Sequence, residues 1–193
     1  MSRWNIIIAI VALGAATPTP AVLAQRAEPF STVSVGIAVS HDVHDARFQS
    51  SWDVSPAIDV SAGLPFYYGN IRAGVRILHA YSPELTDINS AYMHVAWGPT
   101  VDVGRSLSFD ASVSAGSMYM SFTDEPVSFR KSESELAVGL RGGMSMRVGG
   151  PIRAHVYCEW QHAFTSIPLD LVFVSAGLAY ELQTPDWLRS FLD

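Results

Sequence analysis

Few side chains in this sequence could do chemistry: six histidines, eighteen carboxylates and a single cysteine, Cys158. The densest group is His41-Asp42-Val43-His44-Asp45, with two imidazoles and two carboxylates in five residues. His41, His44, Asp42 and Asp45 are of the types that hold a divalent transition metal, although their spacing dictates no complete ligand set. A second group, Glu159, His162 and Ser166, offers an acid, a base and a hydroxyl. A serine nucleophile needs its base within hydrogen-bond reach. Strand alternation sends Glu159 and His162 to opposite faces, so no catalytic residue is assigned and no cofactor is expected. Cys158 has no partner for an intrachain disulfide and falls on an apolar strand face, where a thiol is inert.

The remaining charges follow a pattern. Asp59, Asp102, Asp110, Glu135, Glu159 and Glu181 share one strand face with Arg72, Arg76, Arg141, Arg147 and Arg153. Ionised groups away from bulk water persist when paired and hydrogen-bonded. The sequence therefore predicts a network of ion pairs on an enclosed face.

The elements that must position these groups are extended. From Glu135 to Phe164, apolar Leu136, Val138, Leu140, Met144, Ile152, Val156 and Trp160 alternate with polar or small residues around a Gly149-Gly150-Pro151 turn. Strict period two broken by such a turn is an antiparallel hairpin. The same alternation predicts strands over Thr32–Ser40, Trp52–Leu64, Tyr67–Tyr81, Ala91–Val103, Leu107–Tyr119 and Leu171–Leu182, eight in all. Tight turns at Leu64–Phe66, Gly104–Ser106 and Gly149–Gly150 alternate with longer connectors at 41–51, 82–90, 120–131 and 165–170.

Three regions divide the chain. Residues 1–24 have a basic Arg3, an apolar Ile6–Ala16 run and small residues before Gln25, which reads as a secretory signal peptide. Residues 25–183 form the strand-bearing domain, and 184–193 an amphipathic tail. In the tail Thr184 is placed as N-cap and Pro185 as first helical residue, with Trp187, Leu188, Phe191 and Leu192 on one face of a short helix. Loss of Arg3 with the leader leaves 11 basic against 18 acidic groups, a balance unsuited to nucleic acid.

Which face meets water decides the class. A soluble eight-stranded barrel keeps its apolar face inside. Here the polar face is Gly-, Ser- and Ala-rich, and Lys131 is the only lysine, which makes a poor solvated exterior but a good crowded lumen. Trp52, Tyr81, Tyr119 and Trp160 fall near the loop ends of the strands, and Tyr67, Phe109 and Tyr180 near the turn ends. Two aromatic girdles of this kind mark membrane interfaces. The expected fold is all-β: an eight-stranded antiparallel up-and-down transmembrane β-barrel with a short C-terminal helix.

Over residues 31–182 the pattern resembles the small eight-stranded outer-membrane barrels of Gram-negative envelopes, the OmpA/OmpX type. Gly177-Leu178-Ala179-Tyr180-Glu181-Leu182 is similar to the assembly signal of that class. The resemblance implies an outer-membrane location and recognition by the barrel-assembly machinery. Contact with outer-membrane lipid and lipopolysaccharide, a monomeric state and both termini in the periplasm are expected with it. The run Glu159 to Ser166 loosely resembles the His-x-Ser pair and Glu of lipid A 3-O-deacylases, but Phe164 stands in the serine position. The expected role is structural or one of surface interaction through the loops, without catalysis. A lipid A- or phospholipid-modifying enzyme and a narrow gated channel are the alternatives.

Overall fold

A computed structural model describes residues 29–43, 51–123, 132–165, 169–187 and 190. The leader, and with it the expected cleavage site, lies outside them. Eight strands run up and down: β1 (Thr32–Asp42), β2 (Ala57–Phe66), β3 (Gly69–Tyr81), β4 (Ile88–Val103), β5 (Leu107–Phe122), β6 (Ser132–Gly149), β7 (Ile152–Ala163) and β8 (Leu169–Gln183). Each pairs antiparallel with its sequence neighbours, and β8 pairs with β1, so the sheet is a closed barrel.

Burial follows the alternation in sequence. Val35, Ile37 and Val39 of β1 are exposed, while Gly36, Ala38 and Ser40 between them are buried. The same inversion holds around the barrel, where Val60, Ile77, Val95, Val113, Leu140 and Leu178 all point outward. The polar and small residues are therefore the lumen, and the apolar residues form the outer wall. Glycines let the crowded lumen close. A Cβ on Gly143 would come 2.7 Å from Tyr157 Cβ, and one on Gly74 2.9 Å from His94 Cε1.

Three local expectations are corrected. The first tight turn is not Leu64–Phe66: Phe66 pairs with Gly69, and Tyr67 and Tyr68 make the bend. Tyr67 adopts φ +52, a backbone region that disfavours side chains. Its ring packs edge-on to Phe66 at 4.6 Å, and Phe66 in turn contacts Phe30 at 5.6 Å. Second, β4, β5, β6 and β8 reach further toward the loops than expected, beginning at Ile88, ending at Phe122, beginning at Ser132 and beginning at Leu169. The segment before β2 is instead broken: Asp53–Val54 pair with the end of β3, and Ser55 and Pro56 interrupt the ladder. Proline has no amide proton to donate there.

The third correction concerns the tail. Thr184 does not act as the predicted N-cap, because its hydroxyl has no partner among the described residues. Its backbone N–H instead donates to Ser31 O at 3.1 Å and ties the tail to the start of β1. Asp186, Trp187 and Ser190 have helical backbone, and Ser190 Oγ donates to Trp187 O at 2.9 Å. The rest of the expected helix lies outside the described residues.

Candidate functional site

The lumen is layered along its axis. At the turn end, Glu181 of β8 receives Arg153 Nε at 2.6 Å and Arg147 Nη2 at 3.3 Å. Arg153 also donates to Ser108 Oγ at 3.0 Å, and Ser108 donates to Asp102 Oδ1 at 2.5 Å. One level up, the Arg141 guanidinium lies 3.3 Å from the centre of the Tyr157 ring, a cation–π contact in place of a carboxylate.

Near the middle, Arg76 Nη2 meets Asp59 Oδ2 at 3.1 Å and Glu159 Oε2 at 2.5 Å, while Nη1 donates to Gln161 Oε1 at 3.2 Å. All four side chains are buried. The register explains the meeting: Asp59 is directly opposite Arg76 on adjacent strands, and Glu159 reaches across the lumen from β7. Phe173 covers the guanidinium face at 4.4 Å. Tyr92 stacks on His94 beside this group and donates to Ser114 Oγ at 3.3 Å.

Above Arg76 an apolar cluster fills much of the lumen, interleaved with buried Ser40, Asp42, Ser90 and Ser175. Ala57, Leu78, Ala80, Ile88, Met118, Met120, Ala137, Ala163, Leu171 and Phe173 form one buried cluster with Tyr92. Every strand but β1 contributes to it. This layer was not anticipated, because a polar lumen was expected throughout. One trace of it in the sequence is that alternation fails at Leu171-Val172-Phe173-Val174, where both faces become apolar.

Of the eleven charged residues expected in the lumen, Asp59, Arg76, Arg147, Arg153, Glu159 and Glu181 form ion pairs. Asp102 is held by a serine and Arg141 by a ring. Arg72, Asp110 and Glu135 also face inward but make no ion pair with another described residue.

At the loop rim, a cleft of about 500 Å³ is lined by residues including His41, Asp42, Trp52, Asp53 and Glu84. Asp42 is buried and accepts a hydrogen bond from Val172 N at 3.2 Å. His44 and Asp45 lie outside the described residues, and no group of three metal-binding side chains occurs among those described.

Of the expected girdle, Tyr67, Phe109 and Tyr180 project outward on the turn side, and Tyr81 and Tyr119 on the loop side. Trp52 departs from it. Its ring packs against the apolar cluster, and its indole donates to Thr86 O at 2.9 Å.

Trp160 and His162, on the outer face of β7, both meet Asp170 Oδ1, at 3.2 and 2.9 Å, and stack on each other. The sequence did not suggest this pair, because Asp170 was read as a connector residue. Glu159 points into the lumen, away from His162, and Ser166 lies outside the described residues.

No family model matches the sequence, and no curated protein matches it. Solved structures do match the fold. Neisserial surface protein A superposes with a TM-score of 0.59 at 13% identity, covering 77% of this chain and 95% of the other. The N-terminal β-barrel domain of Pseudomonas aeruginosa OprF gives 0.51 at 8%, covering 80% and 100%. Ail, the attachment invasion locus protein of Yersinia pestis, solved with the heparin analogue sucrose octasulfate, gives 0.51 at 14%, covering 81% and 100%.

Proposed function

We propose that this protein is an outer-membrane β-barrel that acts at the cell surface through its loop end and catalyses no reaction. The observation that carries the reading is the inverted wall. Large apolar side chains cover the outside while ion pairs fill the inside, an arrangement suited to a bilayer and costly in water. A buried apolar cluster fills much of the lumen on the loop side, and the rim is the working surface. The outer-membrane neighbours support the location. Residues 1–24 serve as the export signal, and the assembly machinery inserts the monomeric barrel. The tail, with Trp187 exposed, lies at the periplasmic interface.

The chemistry of the rim selects its partners. Asp42, Asp53 and Glu84 line the cleft with no lysine or arginine among its lining residues. A sulfated ligand such as the one bound to Ail does not suit this surface. Lipopolysaccharide phosphates bridged by divalent cations do.

Two experiments test this. Boiled and unboiled membrane fractions should migrate differently on gels, with the protein in the outer membrane; soluble periplasmic protein without a shift would refute the barrel's placement. Lipopolysaccharide binding should require Mg²⁺ and should fall several-fold in Asp53→Asn/Glu84→Gln, and Mg²⁺-independent binding would refute the bridging role.

A second reading rests on one observation, the outward His162–Asp170 pair beside Trp160, which is placed to meet lipid headgroups as a base. Lipid A mass spectra that differ between cells with and without the protein, and not with His162→Ala, would replace the structural role with an enzymatic one.

A further inference from the structure

The outer wall gathers its histidines at one end. Among the described strand residues that project outward there is no lysine or arginine, and the histidines are His41, His79 and His162, each within two residues of the loop end of its strand. The turn-side half of the wall carries none. His41 lines the acidic cleft. The other two are each built into a cross-strand pair. His79 on β3 is directly opposite Asn89 on β4, and its Nδ1 lies 2.9 Å from Asn89 Oδ1. His162 on β7 is directly opposite Asp170 on β8, with Nδ1 again 2.9 Å from a side-chain oxygen.

The two pairs orient their rings alike. An amide oxygen or an ionised carboxylate only accepts, so Nδ1 donates in both, and Nε2 has no partner among the described residues. The neutral ring presents a lone pair at Nε2 and the protonated ring presents a donor there, and imidazoles exchange these states between about pH 5 and 8. Aromatic neighbours set the depth. Tyr81 follows His79 on the outer face of β3. Trp160 and Phe164 bracket His162 on β7, their ring centres 5.9 and 4.7 Å from the imidazole. Such residues mark the interface where lipid headgroups lie. In register, Val138 and Asp170 flank His162 from β6 and β8. Beside His79, Asn89 faces it from β4, and Asp53, opposite Tyr81, brings a carboxylate to the next outward rung. The β3–β4 and β7–β8 pairs are four strands apart in a closed sheet of eight, so the two imidazoles stand on opposite sides of the barrel.

We propose that His79 and His162 are two headgroup clamps, each holding the phosphate of a lipid in the loop-side leaflet. Protonation at Nε2 supplies a charge-assisted donor to a phosphate oxygen, while Asn89 and Asp170 fix the tautomer and the ring angle from the neighbouring strand. A proton on His79 adds net charge to its pair; at His162 the Asp170 carboxylate offsets the charge and leaves the donor. With no lysine or arginine on the described wall, these imidazoles are the cationic groups it offers to a bilayer outside the acidic cleft. The same construction occurs twice, once with an amide in place of the acid, which suits holding a headgroup rather than attacking it. The clamps rest on the outer-membrane reading and differ from the rim in needing no metal ion. Two headgroups held on opposite sides fix the depth and tilt of the barrel, more firmly as the medium becomes acidic.

Spin-labelled lipids test this on the full protein, folded into phosphatidylcholine vesicles in EDTA, with the gel shift as the check of folding. Phosphatidylglycerol is the probe and phosphatidylcholine the reference, because the phosphatidylglycerol headgroup keeps its negative charge as the imidazoles titrate. Association of the probe relative to the reference should be roughly threefold or more near pH 5 and fall toward equality near pH 8. His79→Gln/His162→Gln should lose the preference at both pH values. His79→Lys/His162→Lys should keep it and lose its pH dependence. A folded wild type without the preference, a preference that grows with pH, or a double glutamine variant that retains it would overturn the clamps. A preference seen with Mg²⁺ but not in EDTA would assign it to the rim and overturn them equally. If the double glutamine variant does not fold, His79→Gln and His162→Gln are read singly, each losing part of the preference, and two unchanged single variants would overturn the clamps. A wild type that fails the gel-shift check would refute the outer-membrane reading and the clamps together, whereas a folded wild type without the preference refutes the clamps alone.

Discussion

Replacing Arg76 with methionine keeps an unbranched apolar stem and removes the guanidinium with its charge. Asp59 Oδ2 and Glu159 Oε2 both lie within 3.1 Å of Arg76 Nη2. Without the guanidinium, two buried carboxylates are left no more than about 6 Å apart, a repulsion of about 3 kcal/mol at an effective dielectric of 20. The bond to Gln161 is lost as well. Breaking a buried ion pair from one side typically costs about 3–5 kcal/mol, and the geometry here supports a loss of about 4 kcal/mol. The same reasoning gives the opposite result for a neutral replacement of the whole group. Arg76→Met combined with Asp59→Asn and Glu159→Gln removes the stranded charges and should recover most of the loss, since buried ion pairs and well-packed neutral groups are often close in energy. Urea unfolding in phospholipid vesicles, followed by the shift between folded and unfolded bands, measures both. An Arg76→Met cost below about 1 kcal/mol would refute the claim that this network is structural, as would a triple variant no more stable than the single.

Further outcomes follow from the wall. Gly143→Ala should cost about 1–3 kcal/mol in the same assay, because its Cβ would press on Tyr157 Cβ and Val156 O, whereas Gly142→Ala, facing open space, should change stability by less than about 0.5 kcal/mol. Leu140→Arg, on the outer wall, should destabilise the folded barrel in bilayers by about 2–4 kcal/mol; greater stability of this variant would mean that the wall faces water. Cys158, exposed on that same wall, should resist a charged maleimide in intact vesicles and react after unfolding. Labelling of the folded protein at the unfolded rate would place the residue in water.

The architecture was legible because one physical signal dominates it. Period-two alternation along β1, β6 and β7 assigns each side chain to a face, and the glycine-containing turns Gly104–Ser106 and Gly149–Gly150 fix the up-and-down order. What escaped was set by contacts between strands rather than along them. Leu171 and Phe173 sit in the run Leu171-Val172-Phe173-Val174, where both faces are apolar, so periodicity does not say which way they point. Arg141 could be placed in the lumen but not given its partner, since Tyr157 reads as a spacer until the barrel closes around it. Asp170, taken for loop, became the shared acceptor of Trp160 and His162 once β8 was seen to start at Leu169. The turn at Tyr67–Tyr68 was misplaced at Leu64–Phe66 because Pro65 looks like a turn residue, whereas the ladder continues through Phe66 before the chain bends.

The seam between β1 and β8 has a consequence for biogenesis. Its rungs run from Thr32–Gln183 to Asp42–Phe173 and join residues more than 130 positions apart. Of the eight strands, the two that complete the cylinder are therefore the first and the last to be translated, and closure must wait until β8 has been made. A transcript cut short before β8 would leave β1 and β7 with bare edges, able to pair with other copies. Such closure across the whole length of the chain is also slow. The unclosed polypeptide therefore needs an escort for as long as its two edges remain apart.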